Sequence, residues 1–389
     1  VVLAMVLRAI KARIYPNDSQ QQQAMINFGC CRFVWNQLLN MQIERYANGG
    51  SFVREFDMNL LIKTLKNEYS WLKQADSTSL QQVSRDIQDA YQRFFKKKGS
   101  FPKFKSRRFP RQSYTSKCVS NNIKVIDDHH IKIPKIGVIS YRCGRQIKGK
   151  IKRATLRLSA TNKFYLAILV EVDVPLFEKT NQTVGIDRNV DNLIAMSDGT
   201  IVPTIHFDKN LAYKKHQWQK KLARRRARAL KEIAWDKHNR VLEPRNIKDF
   251  RNVEKARIMV AKYSEKERNQ RTDYLQKLST KIVKEFDLIA IEKLSTKNML
   301  KNHKLARAIS NQGWYALQQM LEYKCKWYGK ELELVPAKNT TQTCSACGYL
   351  LQQSEKLTLD VRAWVCPKCH THHIRDVNAA NNILNSATQ

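Results

Sequence analysis

The sequence predicts a multidomain α+β protein. Three features support this fold class: amphipathic helices in residues 15–115, short alternating apolar runs in residues 116–175, and strands separated by long helices thereafter. With 389 residues, the chain is long enough to form several domains, each with its own hydrophobic core.

The N-terminal region is predicted to form one strand and three helices. Residues 5–14 alternate in polarity like a β-strand, and the polar residues at 16–19 can cap a helix that extends to Ala47. Two glycines end this helix. A second helix is expected over residues 58–69, and the polar run at 76–79 caps a third.

Residues 116–175 consist of short apolar runs separated by turn residues, which predicts a small, barrel-like antiparallel β-domain. The first strand of the chain is expected to join this sheet, so the N-terminal helices would be an insertion within the β-domain.

The next region is predicted to alternate strands with helices. It begins with a strand–turn–strand unit from Thr183 to Gly199. The predicted elements that follow are basic helices over 208–263 with a break near Pro244, a helix over 269–284, a buried strand ending at Glu292, a helix over 310–328 and a strand over 331–335.

Four cysteines near the C-terminus form two Cys-x-x-Cys pairs with eighteen residues between them. Two such pairs supply four thiolates from two tight turns, which suits a closed tetrahedral zinc site, whereas a pair of redox motifs is the alternative. Gly348 permits a left-handed turn beside the first pair. We therefore predict a structural Zn²⁺ site with the ligands Cys344, Cys347, Cys366 and Cys369.

The charge balance predicts a polyanionic partner. Lys and Arg total 70 against 34 Asp and Glu, which gives a formal net charge of +36. Such an excess indicates nucleic acid, with binding that weakens as salt rises. The apolar runs are too short to span a bilayer and the remaining cysteines are scattered, so we expect a cytoplasmic protein without a membrane partner.

The densest basic segment, residues 93–111, contains nine Lys or Arg and no acid. Phenylalanines interleave with the cations, and Gly and Pro prevent a continuous helix, so an extended loop is expected. These residue types suit phosphate contacts and base stacking, although a solvated linker has the same composition. The predicted nucleic-acid contacts here and elsewhere are Lys96, Lys97, Lys98, Lys103, Lys105, Arg107, Arg224, Arg225, Arg226 and Arg375.

Three acids occupy comparable places in the predicted elements. Asp187 and Glu292 each end a strand, and Asp376 opens the final helix. Carboxylates that share two divalent ions can promote phosphodiester hydrolysis, and hard oxygen ligands favour Mg²⁺ or Mn²⁺. The three acids are far apart in sequence, so only the fold can unite them, and unrelated surface or capping acids are the alternative.

These motifs resemble the TnpB family, transposon-encoded RNA-guided DNA endonucleases related to type V CRISPR effectors. The resemblance covers nearly the whole chain, and its most specific feature is the order Asp187, Glu292, four cysteines, Asp376. Other matching segments are 10–16, 28–36, 80–82, 101–105, 185–187, 291–292 and 375–380.

The resemblance implies a domain organisation. The implied parts are a wedge β-barrel domain (1–14 and 116–180), a helical recognition domain (15–115), an RNase H-like RuvC nuclease domain (181–343 and 371–389) with a basic helical hairpin near 208–285, and a zinc ribbon (344–370).

The resemblance also implies an activity. Asp187, Glu292 and Asp376 would be the catalytic ligands of Mg²⁺ or Mn²⁺. The protein would act as a monomer with a guide RNA from the transposon end, cleaving double-stranded target DNA next to a short adjacent motif. Association with the prokaryotic nucleoid is expected from these partners.

The chain departs from the family pattern at two positions. Asn189 stands where the family usually has Gly, although Asn tolerates left-handed turns. His370 replaces the Gly that commonly follows the fourth cysteine, so His370, His372 and His373 are alternative zinc ligands or surface histidines. Arg375 is expected to steady the neighbouring acids or a phosphate.

Other functions are compatible with parts of the pattern. A relative whose nuclease has lapsed would repress by occupying DNA, and the departure at Asn189 is the feature that supports it. A DNA transposase would also use an acid triad, but the cysteine pattern before the last acid and the basic N-terminal region disfavour it.

Overall fold

The computed structural model describes residues 3–109, 111–294, 303–336, 338–358 and 360–388. The chain forms two compact units, Met5–Asp173 and Val174–Gln389 with Val1–Ala4. Each unit combines helices with a β-sheet, so the predicted multidomain α+β class is confirmed. None of the described helices is both long and apolar enough to cross a membrane.

The first unit contains the three helices that the capping signals predict. They are α1 (Asp18–Ala47), α2 (Glu55–Glu68) and α3 (Ser77–Phe95). Asn17 and Gln20 form a capping box at the start of α1, and the Asp76 carboxylate accepts hydrogen bonds from the first N–H groups of α3. Each cap satisfies backbone donors that have no partner within the helix, which is why these polar residues mark the helix starts.

The sheet of the first unit has seven strands in the order β2-β6-β7-β1-β5-β4-β3. The strands are β1 (Leu3–Tyr15), β2 (Gln112–Lys117), β3 (Lys124–Val125), β4 (His130–Ile133), β5 (Gly137–Arg142), β6 (Lys150–Leu158) and β7 (Phe164–Pro175). The central place of β1 confirms that the first strand joins this sheet. The order is linear, with β2 and β3 at its ends, so closure into a barrel stays a prediction.

The helices and the sheet of the first unit pack around one hydrophobic core, which includes Phe28 of α1, Ile87 of α3 and Leu166 of β7. The predicted division between a wedge domain and a recognition domain therefore stays a prediction, since one core serves both.

The second unit contains a five-stranded mixed sheet in the order β10-β9-β8-β11-β12. The strands are β8 (Thr183–Asp187), β9 (Asn192–Met196), β10 (Ile201–Pro203), β11 (Leu288–Glu292) and β12 (Glu331–Val335). Strands β8, β9 and β10 pair antiparallel, whereas β11 runs parallel to both β8 and β12. The strand–turn–strand prediction and both later strands are confirmed.

Two long helices, α4 (Phe207–His238) and α5 (Arg251–Glu285), pack against each other as a hairpin. The predicted break near Pro244 is confirmed. The predicted interruption between residues 263 and 269 is wrong, because that segment contains no Gly or Pro and α5 continues through it. The buried Lys324 ammonium donates to the Gln276 carbonyl and to the hydroxyls of Ser279 and Thr280, which fixes the last third of α5.

The single helix predicted over 310–328 is also wrong. Two helices, α6 (His303–Gln312) and α7 (Trp314–Tyr328), replace it. Gly313 lies between them with φ +70°, a left-handed conformation that interrupts the helical hydrogen bonds. The last elements are the two-stranded sheet of β13 (Ala363–Val365) and β14 (His372–Ile374) and the final helix α8 (Arg375–Thr388), which packs on β8, β9, β11 and β12.

Candidate active site and metal centre

Two of the predicted catalytic acids end neighbouring parallel strands. Ile186 of β8 stands opposite Ile291 of β11, and the next residue along each strand is the acid, Asp187 or Glu292. Parallel register places equivalent residues of neighbouring strands at one edge and on one face of the sheet. Both acids are buried, so neither is an incidental surface charge.

The third acid is supplied by α8. Asp376 lies in its first turn and is buried. The helix crosses the sheet in direct backbone contact with β8, because a Cβ at Gly185 would be 2.0 Å from the Ala380 carbonyl oxygen. The absence of a side chain at Gly185 therefore sets how closely the helix that carries Asp376 approaches the strand that carries Asp187.

The electrostatics of Asp187 indicate a site with too little positive charge. Burial, followed by the charges of Glu292 and Asp376, raises the pKa of Asp187 to about 7, and Asn189 and Arg375 offset only part of this rise. Burial also raises the pKa of Glu292, against the opposing charge of Arg188. A divalent cation would supply the missing counter-charge, so the donor set suits such an ion.

The carboxylates are more widely spaced than the cysteines. Within the described ranges, the four cysteines are the one group of three or more His, Cys, Asp or Glu ligand atoms that all lie within 4.8 Å of one another. At least one pair among the three carboxylates is therefore separated by more than this distance. A pair of ions about 4 Å apart accommodates a wider ligand set than a single ion does.

The turn between β8 and β9 contacts the elements that carry the other two acids. Arg188 is buried and donates hydrogen bonds to the Glu292 carbonyl oxygen and, over 3.2 Å, to Gln318 Oε1 of α7. Asn189 Nδ2 donates to Asp376 Oδ2 over 3.0 Å. Sequence reasoning missed Arg188, and the available signal was a cation that directly follows an acid at the end of a buried strand.

The four predicted zinc ligands lie together. Cys344 Sγ and Cys369 Sγ are 3.6 Å apart, and Cys347 Sγ and Cys366 Sγ are 3.7 Å apart. Four thiols at this spacing suit one tetrahedral zinc ion. Hydrogen bonds from Thr371 lower the pKa of the Cys369 thiol to about 6, whereas burial raises the pKa of Cys344 to about 12. Cys369 is therefore the more readily ionised of these two ligands.

The two cysteine pairs adopt matching turns. Gly348 N–H donates to the Cys344 carbonyl, and His370 N–H donates to the Cys366 carbonyl, each over 2.9 Å. Gly348 has φ +73° and His370 has φ +58°. His370 thus fills a left-handed turn position, whereas His373 approaches the cluster, with its Nε2 3.1 Å from Cys344 Sγ.

Helix α8 is joined to the cysteine-bearing segment by side-chain hydrogen bonds. The buried Asn378 accepts from Ser345 N–H and donates to the Thr343 carbonyl, each over 2.8 Å. Arg375 donates to the Thr358 carbonyl over 3.2 Å. Asn378 therefore holds the first cysteine turn against the helix that carries Asp376.

The predicted nucleic-acid contacts divide into free surface cations and anchored ones. The Lys105 ammonium lies 3.8 Å from the centroid of the Trp35 ring, and Lys105 backbone groups pair with Asn36. Arg225 donates to the Asn252 carbonyl over 3.0 Å, which links α4 to α5. Lys105 is nevertheless exposed, as are Lys96, Lys97, Lys98, Lys103, Arg107, Arg224 and Arg226.

Comparison with family models gives three matches. Residues 5–51 match a "Helix-turn-helix domain" of the OrfB/IS605 type, residues 167–303 match a "Probable transposase" of that type, and residues 314–383 match a "Cas12f1-like, TNB domain". The last match contains all four cysteines and Asp376.

Individual relatives extend the match to the whole chain. A protein of Streptomyces pristinaespiralis, provisionally named an RNA-guided DNA endonuclease, is 32% identical over 98% of this chain and 90% of its own length. The similarly named InsQ of Escherichia coli (strain K12) is 31% identical over 97% of this chain and 92% of its own length.

The fold is that of a multidomain α+β protein, and it is similar to the fold of Cas12f1 in a solved complex with guide RNA and target DNA. That structure covers 98% of this chain with a TM-score of 0.51 at 13% sequence identity, so the likeness concerns the fold. The whole-length relatives are more specific. On their evidence the chain belongs to the TnpB family.

Proposed function

We propose that the protein is an RNA-guided DNA endonuclease that hydrolyses phosphodiester bonds of target DNA. The observation that carries this proposal is the arrangement of Asp187 and Glu292 at the ends of neighbouring strands, with Asp376 in the helix packed across them. Membership of the TnpB family and the names of its whole-length relatives support the same activity.

The strand order supports an RNase H-like, RuvC-type nuclease. In this proposal, the antiparallel strands β8, β9 and β10 form one side of the sheet and the parallel strands β11 and β12 the other. Residues 181–343 and 371–389 would form the nuclease domain, and residues 344–370 the zinc ribbon. The cysteine cluster would hold Zn²⁺ as a structural ion, because four thiolates leave no open coordination position for a substrate.

The chemistry assigned to the site depends on divalent ions held by the three acids. When bound, Mg²⁺ or Mn²⁺ activates water and stabilises the leaving oxygen of a phosphodiester. The chain contributes a buried position at the end of β8, where Asp187 must lose its proton to act as a ligand. Arg188 stabilises the end of the Glu292 strand by a hydrogen bond to the Glu292 carbonyl.

The proposed partners follow from charge and family. A formal net charge of +36 suits a guide RNA and a DNA duplex bound together. The guide would come from the transposon end, and base pairing would select the target while the protein recognises a short adjacent motif. A monomer bound to one RNA, associated with the nucleoid, is the expected state.

The deciding experiment reconstitutes the protein with its co-purified RNA and a DNA target matched to that RNA. Wild-type protein should cleave in Mg²⁺, whereas Asp187→Ala should bind RNA normally and cut nothing. Asp273→Ala is the matched control, because Asp273 is an exposed acid in a surface ion pair. It should cleave like wild type.

Two outcomes would contradict the proposal. Cleavage by Asp187→Ala at the wild-type rate would remove the acids from the reaction. Guided DNA binding by the wild type without any cleavage would favour the lapsed, repressor-like alternative.

A further inference from the structure

We propose that Asn189 is a positioning residue that orients the Asp376 carboxylate for metal binding, an inference that rests on the proposed nuclease function. The two residues are 187 positions apart in sequence, yet Asn189 Nδ2 lies 3.0 Å from Asp376 Oδ2. Asn189 stands where the family usually has a glycine, which has no side chain to make this contact. Asn189, the residue that departs from the family pattern, thus contacts a candidate catalytic acid directly.

The orientation of the Asn189 amide is fixed by a second hydrogen bond. Its Oδ1 accepts from the backbone N–H of Asn192 over 2.7 Å. Rotating the amide by half a turn would place its NH₂ group against that N–H and its oxygen against the carboxylate. Both contacts would then be repulsive, so the bond to Asn192 determines that the donor faces Asp376.

The turn that presents this amide is anchored on both sides. Before Asn189, the Arg188 guanidinium binds the Glu292 carbonyl and Gln318 Oε1. After it, the Val190 carbonyl accepts from Gln312 Nε2 over 2.9 Å. An amide on such a support holds a carboxylate in one orientation without a large loss of side-chain freedom when the metal binds.

The contact leaves Asp376 able to bind a cation. A carboxylate has about four lone-pair positions, and Asn189 uses one of them on Oδ2. The other oxygen and the remaining positions stay available as ligands. Hydrogen-bond partners of this type commonly change metal affinity or activity by about 10-fold to 100-fold when removed.

Three variants test whether Asn189 positions the Asp376 carboxylate or only stabilises the turn that contains it. Asn189→Gly restores the family residue and keeps the turn but deletes the donor. Asn189→Ser retains an acceptor for the Asn192 N–H but is too short to reach Asp376. Asn246→Gly is the matched control, because Asn246, like Asn189, is a loop asparagine outside the left-handed region, and it is exposed.

The test measures Mn²⁺ binding to the RNA-loaded protein by calorimetric titration, with the Asp187→Ala titration subtracted to remove ions held by RNA. Cleavage rate is measured alongside as a function of Mg²⁺ concentration. Asn189→Gly and Asn189→Ser should each weaken Mn²⁺ binding and raise the half-saturating Mg²⁺ concentration by about 10-fold. Melting temperature and RNA affinity should stay at the wild-type values, and Asn246→Gly should match wild type throughout.

Wild-type Mn²⁺ binding and Mg²⁺ dependence in both Asn189 variants would overturn the assignment and reduce Asn189 to a turn residue. Recovery in Asn189→Ser but not in Asn189→Gly would overturn it as well, since turn capping alone would then explain the effect. A wild-type protein that binds no Mn²⁺ beyond the Asp187→Ala reference and cuts no DNA would instead refute the nuclease function itself.

Discussion

The backbone of Gly185 lies directly against that of Ala380. A Cβ at Gly185 would be 2.0 Å from the Ala380 carbonyl oxygen and 2.8 Å from the backbone nitrogen of Leu384. Backbone atoms cannot give way as the end of a flexible side chain can, so even one methyl group would push α8 away from the sheet. The position of Asp376 relative to Asp187 therefore depends on a missing side chain.

Replacing Gly185 with Ala should damage both stability and catalysis. Overpacking at a backbone contact costs about 1–3 kcal/mol, and the displaced helix would carry Asp376 away from the other acids. Denaturant unfolding and guided cleavage measure the two effects. Gly144→Ala is the control, because a Cβ there meets nothing within 4 Å, and it should leave both unchanged. Normal cleavage by Gly185→Ala would show that the sheet and α8 need not be in contact.

The metal-free protein should lose stability as pH rises, owing to Asp187. Burial and the neighbouring acids raise the pKa of Asp187 from 3.8 to about 7. Between these values the folded protein holds a proton that the unfolded chain has released. The folded state is thus favoured at low pH and loses this advantage as pH rises towards 7.

Asp187→Asn carries no titrating proton, so it should remove this pH dependence and be more stable than wild type above pH 7. Denaturant unfolding in Mg²⁺-free buffer at several pH values measures the difference. Parallel stability curves for the two proteins would show that Asp187 is not perturbed by its neighbours.

Three consecutive arginines of α4 should respond differently to removal. Arg224 and Arg226 are exposed, whereas Arg225 is half-buried and donates to the Asn252 carbonyl. Arg224→Ala and Arg226→Ala should each weaken RNA binding and reduce the salt dependence of the binding constant by about one phosphate contact. Arg225→Ala should mainly lower the melting temperature, since it links α4 to α5. Identical effects of all three on the salt slope would contradict this division.

His370→Gly should strengthen the zinc site. His370 has φ +58°, and a non-glycine residue in this region costs about 1–2 kcal/mol that Gly348, at φ +73°, does not incur. Competition with a chromophoric chelator should show tighter zinc binding. His372→Gly is the opposite case, because His372 belongs to β14 and glycine weakens a strand. Weaker zinc binding by His370→Gly would indicate that the imidazole contributes to the site.

Most of the fold could be predicted where one local signal determines the structure. Asn17 and Asp76 are capping residues in sequence and in space. The strands that end at Asp187 and Glu292 are apolar runs followed by an acid, a pattern that a buried strand produces regardless of its neighbours. The predicted interruption of the helix over residues 264–268 was wrong because it rested on spacing alone, with no glycine or proline in that segment.

The contacts that shape the candidate site could not be predicted, because they join distant segments. Asn189 reaches Asp376 only after β8 and α8 have packed, and the same packing gives Gly185 its close contact. In the sequence, Asn189 signals only a tolerated turn and Gly185 only a flexible residue. The Asn378 amide likewise reaches the backbone beside Cys344 only in the folded chain.

The unbroken length of α5 has a mechanical consequence. Its 35 residues form a rod of about 52 Å. Only Phe286 and Asp287 separate this rod from the strand that ends in Glu292. Lys324 binds α5 near that end, and most of the basic hairpin extends beyond this contact. The start of α5 lies about 40 Å from this contact, so a tilt of one degree about it moves the far end by about 0.7 Å. A force applied at the far end of the hairpin would therefore reach the strand that ends in Glu292 through only two connecting residues.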